Sequence, residues 1–329
     1  MSASAPAPAG RATAMLVLVT LIWGVSFSLS KNWQEAAKGW PGGGLLAGLT
    51  LIALRTSLAV VLLIAFQPKL IRQSTRREHL SGAAIGVVFA VSFVLQTWGL
   101  ATTTPGLSAF ITSLSSAWVP LLAYLVLRTP VAGITVLGML VGVAGTAVLG
   151  LNTDPASGWQ LGEGEGLTLA ATVLFAVQVL LLDRLGKRVR SAHLTVGFLG
   201  VTAVLAGVLG VVVAAVGPGV GAWLQWTADM LRQPAVLGDV ALLVLLPTVL
   251  AFHWMNTYQP LVSPGRAALI YLLEPVFSSI FSVWWGYDQL TVVLVAGGVL
   301  ILAGNLLAEA PRWRAKKVKE LAASGETGG

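Results

Sequence analysis

The chain has 329 residues, 56% of them hydrophobic and 10% charged, with a net charge of +7 and no cysteine. So small a charged share, against roughly 25% in soluble domains, excludes an ordinary soluble enzyme and reads as an integral membrane protein. The missing cysteines exclude a disulfide framework, a thiolate metal site and a cysteine nucleophile.

The start, MSASAPAPAGRATAMLVLVTLIWGVSF, places a basic residue ahead of an apolar run. That run continues past Trp23 without an A-x-A cleavage site, so it reads as a retained first helix. Apolar runs long enough for a hydrocarbon core of roughly 30 Å then recur along the chain. They predict ten helices, at about 12–30, 44–66, 81–100, 105–127, 131–150, 164–183, 193–216, 237–260, 264–285 and 290–308. The predicted fold is an all-α integral membrane protein of ten transmembrane helices in two inverted five-helix repeats. Residues 1–11 form a cytoplasmic tail, 12–150 the first repeat and 151–163 an outer linker; 164–308 form the second repeat and 309–329 a basic cytoplasmic tail.

Charge orients this reading. With both termini inside, the inner face collects Arg11, the Lys69 to Arg77 cluster, Arg128, the Arg184 to Arg190 cluster, Arg266 and the basic tail, sixteen of the twenty basic residues. Lys31, Lys38 and Arg232 fall outside, and Arg55 lies within the second helix. The positive-inside rule therefore puts both ends in the cytoplasm, and the same distribution explains the basic charge without nucleic acid.

The repeat is visible in TTTPGLSAFITSL (Thr102 to Leu114) and LVSPGRAALIYLL (Leu261 to Leu273). Pro105, Gly106, Ala109, Ile111 and Leu114 match Pro264, Gly265, Ala268, Ile270 and Leu273 at one offset of 159 residues, which later pairs Gly138 with Gly297 and Gly145 with Gly304. One register across two helices and their loop indicates duplication. Five helices per copy is an odd number, so the second copy enters the membrane from the opposite side. Inverted repeats around a midplane site are a recurrent transporter architecture.

Deep charges are the sharpest functional signal, since each costs on the order of 3 kcal/mol at the bilayer centre. Arg55 and Glu274 are the two, both near the midplane. Either they face a polar cavity, binding a zwitterion or anion or switching with transport, or they are satisfied within the protein. Tyr271 and Ser278 share a face with Glu274, and Pro275 beside it predicts a helix bend. His253 and Asn256 share a face on the preceding helix, with His253 at nearly the depth of Glu274. Trp23, Ser26, Gln96, Thr112, Ser116 and Gln178 complete the expected substrate pathway. Trp33, Trp40, Trp223, Trp226, Trp284 and Trp285 fall near the outer boundary and read as an interfacial belt. Gly138 and Gly142 form a GxxxG pair that leaves homodimerisation open. HExxH, GxSxG, Walker and clustered-carboxylate motifs are absent, so no catalytic residues, metal or cofactor are expected.

Taken together, LIWGVSFSLSK, ALRTSLAVVLL, TTTPGLSAFITSLSSAWVPLLAYLVLR and SPGRAALIYLLEPVFSSIFSVWWGYDQLT resemble the EamA-type permeases of the drug/metabolite transporter superfamily. The resemblance covers most of the chain in two copies. Glu274 with Pro275 matches the family's Glu-Pro motif, whereas Asp288 replaces its usual later glutamate and Pro247 stands where glycine is common. It implies a cavity formed chiefly by helices one to four and six to nine. It also implies a secondary transporter of the bacterial inner membrane that exports amino acids or related small metabolites by alternating access. Multidrug or nucleoside-type carriage, or a transport-inactive membrane binding or scaffold protein, are the alternatives. The expected partners are a small-molecule substrate and the lipid bilayer; proton coupling stays open.

Overall fold

The computed structural model describes residues 9–128, 131–150, 162–186, 189, 191–262 and 264–324. Most of the predicted 151–163 linker, parts of both tails, and Lys187, Arg188 and Arg190 of an inner loop lie outside them. Among the described residues every regular element is helical. In chain order these are α1 (Ala9–Ala36), α2 (Gly43–Phe66), α3 (Lys69–Arg72), α4 (Arg76–Gly99), α5 (Pro105–Ser113), α6 (Ser115–Leu127), α7 (Gly133–Gly150) and α8 (Glu163–Gly186). There follow α9 (Ser191–Val216), α10 (Val220–Arg232), α11 (Pro234–Leu243), a π-helical segment (Val244–Leu250), α12 (Ala251–Tyr258), α13 (Pro264–Tyr271), α14 (Leu273–Trp284) and α15 (Val292–Ser324). Seven stretches are long and apolar enough to cross a membrane, where the sequence predicts ten; three further apolar helices, Gly133–Leu149, Leu269–Trp284 and Val292–Ala308, are shorter.

Helix breaks place the site. In the first copy the fourth predicted helix divides at Leu114, whose amide turns back to the Ile111 carbonyl at 3.0 Å. Ser113 and Ser116 donate their hydroxyls to the Phe110 and Ser113 carbonyls at 2.7 and 2.9 Å, competing with the backbone ladder. The matching helix of the second copy divides at Leu272, which puts Glu274 and Pro275 in the first turn of α14. A proline is tolerated there because those amides have no intrahelical partner, and the helix N-terminus favours a carboxylate. The bend predicted at Pro275 is thus a break just ahead of it.

Pro247 has a second effect. Lacking an amide hydrogen, it sits in the π-helical turn Val244–Leu250. The Thr248 hydroxyl donates to the Leu243 carbonyl at 2.8 Å, and the Pro247 carbonyl accepts the Trp23 indole N–H at 3.1 Å. A kink thereby becomes a junction between the two copies.

Close approach of helices depends on glycine at two places. A Cβ on Gly24 of α1 would lie 2.7 Å from the Phe277 Cβ and 2.9 Å from the Ser278 amide nitrogen, so α1 crosses α14 nearly backbone to backbone. Gly138 of α7 meets the backbone of Gly304 and Ala308 in α15 in the same way. The GxxxG pair is therefore occupied within the chain by α15, which removes the sequence argument for dimerisation.

Other expectations also change. The segment between the seventh and eighth predicted helices contains α10, whose Trp223, Trp226 and Met230 recur at helical spacing and face inward. Two of the expected belt tryptophans are core residues. Trp33 is buried with its indole donating to the Ala47 carbonyl, and Trp223 donates to the Thr50 hydroxyl, both at 2.8 Å. Trp284 stays exposed. The last helix runs on to Ser324, through most of the predicted basic tail.

Candidate functional site

One cavity of about 880 Å³ occupies the bundle, bounded by α1, α2, α4, α5, α6, α8, α9, the π-helical turn, α12 and α14. It reaches the end of the bundle that carries the chain termini, where Leu182, Leu194, Thr195, Gln259 and Val262 line it. Its walls are largely aromatic, from Trp23, Phe27, Phe89, Phe93, Phe175, Phe198 and Phe252. Phe89 packs against Phe93, Phe175 and Phe198, with ring centroids 5.1 to 6.2 Å apart. Such rings give a rigid apolar surface for a flat ligand, and their faces attract cations.

Both deep charges line this cavity. Arg55 is buried, and its Nε donates to the Thr248 hydroxyl at 2.6 Å. Its guanidinium carbon stands 5.0 Å over the Phe93 ring. Thr248 holds the guanidinium from the second copy, and Phe93 backs it from the first. Glu274 forms no ion pair with Arg55, and its carboxylate has no hydrogen-bond partner among the described residues. A carboxylate with no internal partner, facing a cavity, is a group that a ligand's ammonium or a proton can satisfy.

Of the other predicted pathway residues, Trp23, Ser26, Gln96, Thr112, Gln178 and Asn256 line the cavity. Gln96 donates to the Thr112 hydroxyl at 2.8 Å, tying α4 to α5, and Asn256 donates to the Thr195 hydroxyl at 3.2 Å. Tyr271 stands behind the wall, its ring 5.8 Å from that of Trp23 and its hydroxyl donating to Gln259 at 2.9 Å. Three residues fall elsewhere. Ser278 is fully buried and donates to the Pro105 carbonyl, while Ser116 donates to the Ser113 carbonyl. His253 is exposed and does not line the cavity, because the inward face of α12 runs through Phe252, Met255 and Asn256, with Gln259 following just past its end. That face follows helical spacing from Phe252, and a shift of one residue turns His253 by about 100°.

The phenylalanines were not singled out from sequence, because a Phe in an apolar run carries no mark of what it faces. Among them, Phe89 and Phe93 share a helical i, i+4 spacing.

The opposite end of the bundle is closed. Lys31 reaches across from α1 to the Leu100 and Ala101 carbonyls beyond α4, at 2.9 and 3.2 Å, and pairs with Glu35 at 3.1 Å. Asn32 donates to the Asp239 carboxylate at 2.9 Å and accepts from the Tyr287 hydroxyl at 2.6 Å. Burial, followed by the charges of Glu35 and Asp239, pushes the Tyr287 phenol above its ordinary value, so it remains a donor. Asp288 accepts from the Gly106 amide and the Ser282 hydroxyl. The Asn32 contacts bind α1, from the first copy, to α11 and the α14–α15 connection of the second, and Asp288 binds that connection to α5. Among the described residues no cluster of three His, Asp or Glu could hold a metal ion.

A cavity open at one end, sealed at the other and walled by two related halves suits a carrier, and the chain's relatives are carriers. The sequence pattern of the EamA-like transporter family matches residues 11–151 and again residues 163–309. An S-adenosylmethionine/S-adenosylhomocysteine transporter of Chlamydia trachomatis serovar L2 is 27% identical over 304 residues, covering 89% of this chain and 88% of its own. The uncharacterized transporter YvbV of Bacillus subtilis is 26% identical over 307 residues, covering 91% and 92%. A solved crystal structure 19% identical in sequence covers 93% of this chain and 99% of its own with a TM-score of 0.56, a likeness of fold. The chain is a multi-pass membrane transporter belonging to the EamA-like transporter family, within the drug/metabolite transporter superfamily.

Proposed function

We propose that the protein is a secondary transporter that exports a small zwitterionic metabolite bearing a planar ring, an amino acid or amino-acid derivative, across the bacterial inner membrane. The observation that carries this reading is a cavity with aromatic walls and two charges of opposite sign, Glu274 and Arg55, that do not pair with each other. An α-amino acid group presents an ammonium and a carboxylate, and a flat ring finds the phenylalanines. The Chlamydia relatives' named substrates combine such a zwitterion with an adenine ring, which supports the same chemistry.

Ten spans in two inverted repeats, with both termini cytoplasmic, set the direction. The cavity then faces the cytoplasm, and the Lys31, Asn32 and Tyr287 contacts close the outside. Exchanging the conformations of the two copies would open the outside and seal the cytoplasmic end. The aromatic walls and Glu274 favour a second reading, a carrier of planar lipophilic cations, which has no use for Arg55. The two readings separate by counterflow into proteoliposomes of S-adenosylhomocysteine, tryptophan, adenosine and a flat quaternary ammonium dye. Saturable flux of a zwitterion supports the proposal. Flux of the dye alone refutes it.

A further inference from the structure

Beside the main cavity, on the side toward the closed end, lies a small recess of about 20 Å³. It shares Ser26, Phe27, Arg55, Phe93 and Gln96 with the main cavity and is completed by Ser30, Thr97 and Leu100. Its volume suits one small polar group. Ser30 and Thr97 are only 6% and 4% exposed, yet their hydroxyls make no hydrogen bond among the described residues. The Ser28, Ser108 and Ser279 hydroxyls also lack partners among the described residues, but Ser30 and Thr97 line one recess together with Arg55. Thr50, Thr56 and Ser92 each donate to the carbonyl four residues earlier, at 2.6 to 2.7 Å. Arg55 likewise spends only its Nε within the protein, on Thr248, leaving its terminal nitrogens as donors. Buried donors without partners are costly, and they gather where a ligand supplies the acceptor.

We propose that this recess is a subsite for a single carboxylate-sized anionic group, held by the Arg55 guanidinium and the Ser30 and Thr97 hydroxyls. Three donors converging on one small volume suit an oxyanion better than a cation or an apolar group. In transport the anion is the substrate's own carboxylate, a step that rests on the zwitterion reading above. The substrate is then oriented, with its carboxylate leading toward the closed end and its ammonium left to Glu274. Arg55 and Thr248 belong to different copies, so an anion gripped by Arg55 is held at the seam along which the copies separate.

The test uses the purified full-length protein in nanodiscs, in a low-ionic-strength buffer free of chloride and of carboxylates, titrated with sodium formate and followed by thermal stability. A saturable rise in melting temperature at millimolar formate is expected. Ser30→Ala with Thr97→Val, conservative changes that keep the helices, should weaken that response at least tenfold, and Arg55→Lys should weaken it as well. Absence of a saturable formate effect, or an equal effect in the double variant, overturns the subsite. Two further arms identify the anion's source. Tighter binding of S-adenosylhomocysteine than of its methyl ester, by roughly tenfold, assigns the recess to a substrate carboxylate. Equal binding of acid and ester, with chloride reproducing the formate response, assigns it to a free anion and overturns the orientation. Loss of formate binding with zwitterion flux retained removes the subsite alone, whereas formate binding without any flux removes the transport reading and leaves the subsite standing.

Discussion

Gly24→Ala perturbs a tight crossing between the two copies, the one that carries Glu274. The added methyl would sit 2.7 Å from the Phe277 Cβ, 2.9 Å from the Ser278 amide nitrogen and 3.1 Å from the Glu274 carbonyl oxygen. Ordinary carbon contacts lie near 3.5 to 4.0 Å, so α1 and α14 must part by about 1 Å, and two of the three neighbours are backbone atoms that cannot rotate away. Overpacking of this kind costs about 1 to 3 kcal/mol, and with backbone on the receiving side the upper half applies. Alanine returns up to about 1 kcal/mol of helix propensity, leaving a net loss of roughly 1 to 2 kcal/mol. Gly200→Ala supplies the control, because a Cβ there meets nothing within 4 Å, and its expected effect is neutral or stabilising. Thermal denaturation in one detergent, with counterflow measured on the same preparations, compares the two. Gly24→Ala should melt several degrees below Gly200→Ala and lose most of its flux, since Glu274 rides on the displaced turn. Equal melting and equal flux would refute the backbone-contact argument.

Further substitutions probe the other contacts. Asn32→Ala removes the link between Asp239 and Tyr287 at the closed end. In this cysteine-free chain a Ser30→Cys reporter should then react several-fold faster with a membrane-impermeant thiol reagent added outside, and an unchanged rate would count against that closure. Gly138→Leu should separate α7 from α15 and cost about 2 kcal/mol or more in stability while leaving the oligomeric state by light scattering unchanged. A change of oligomer would return the GxxxG pair to an intersubunit role. His253→Ala, on the exposed face of α12, should stay within about 0.5 kcal/mol of wild type and keep its flux and pH profile. A lost pH response there would contradict the placement of His253 outside the cavity.

Charge and periodicity made much of the site readable. Arg55 and Glu274 stand out because charge is rare in apolar helices, and Gln96, Gln178 and Asn256 because amides need partners. Residues on a regular helix were harder to aim. The inward line of α12 depends on the π-helical turn at Pro247, so His253 shared a plausible face with Asn256 on paper and lies on the outer one in the fold. Helix α10 was hidden because its tryptophans read equally well as an interfacial belt. The break at Leu114 had no proline to announce it and rests on serine hydroxyls returning to backbone carbonyls. The recess beside Arg55 was beyond sequence reasoning, since what sets Ser30 and Thr97 apart is that they line one small volume with Arg55.

The central claim is that the aromatic cavity holding Glu274 is the transport site. Counterflow of the zwitterion panel into proteoliposomes, comparing wild type with Glu274→Gln at several pH values, tests it most directly. The amide keeps the size of the side chain and removes the charge available to an ammonium or a proton. The account predicts that Glu274→Gln folds and inserts normally but loses flux at least tenfold, or loses its pH dependence. Wild-type flux with wild-type pH dependence in Glu274→Gln would contradict it.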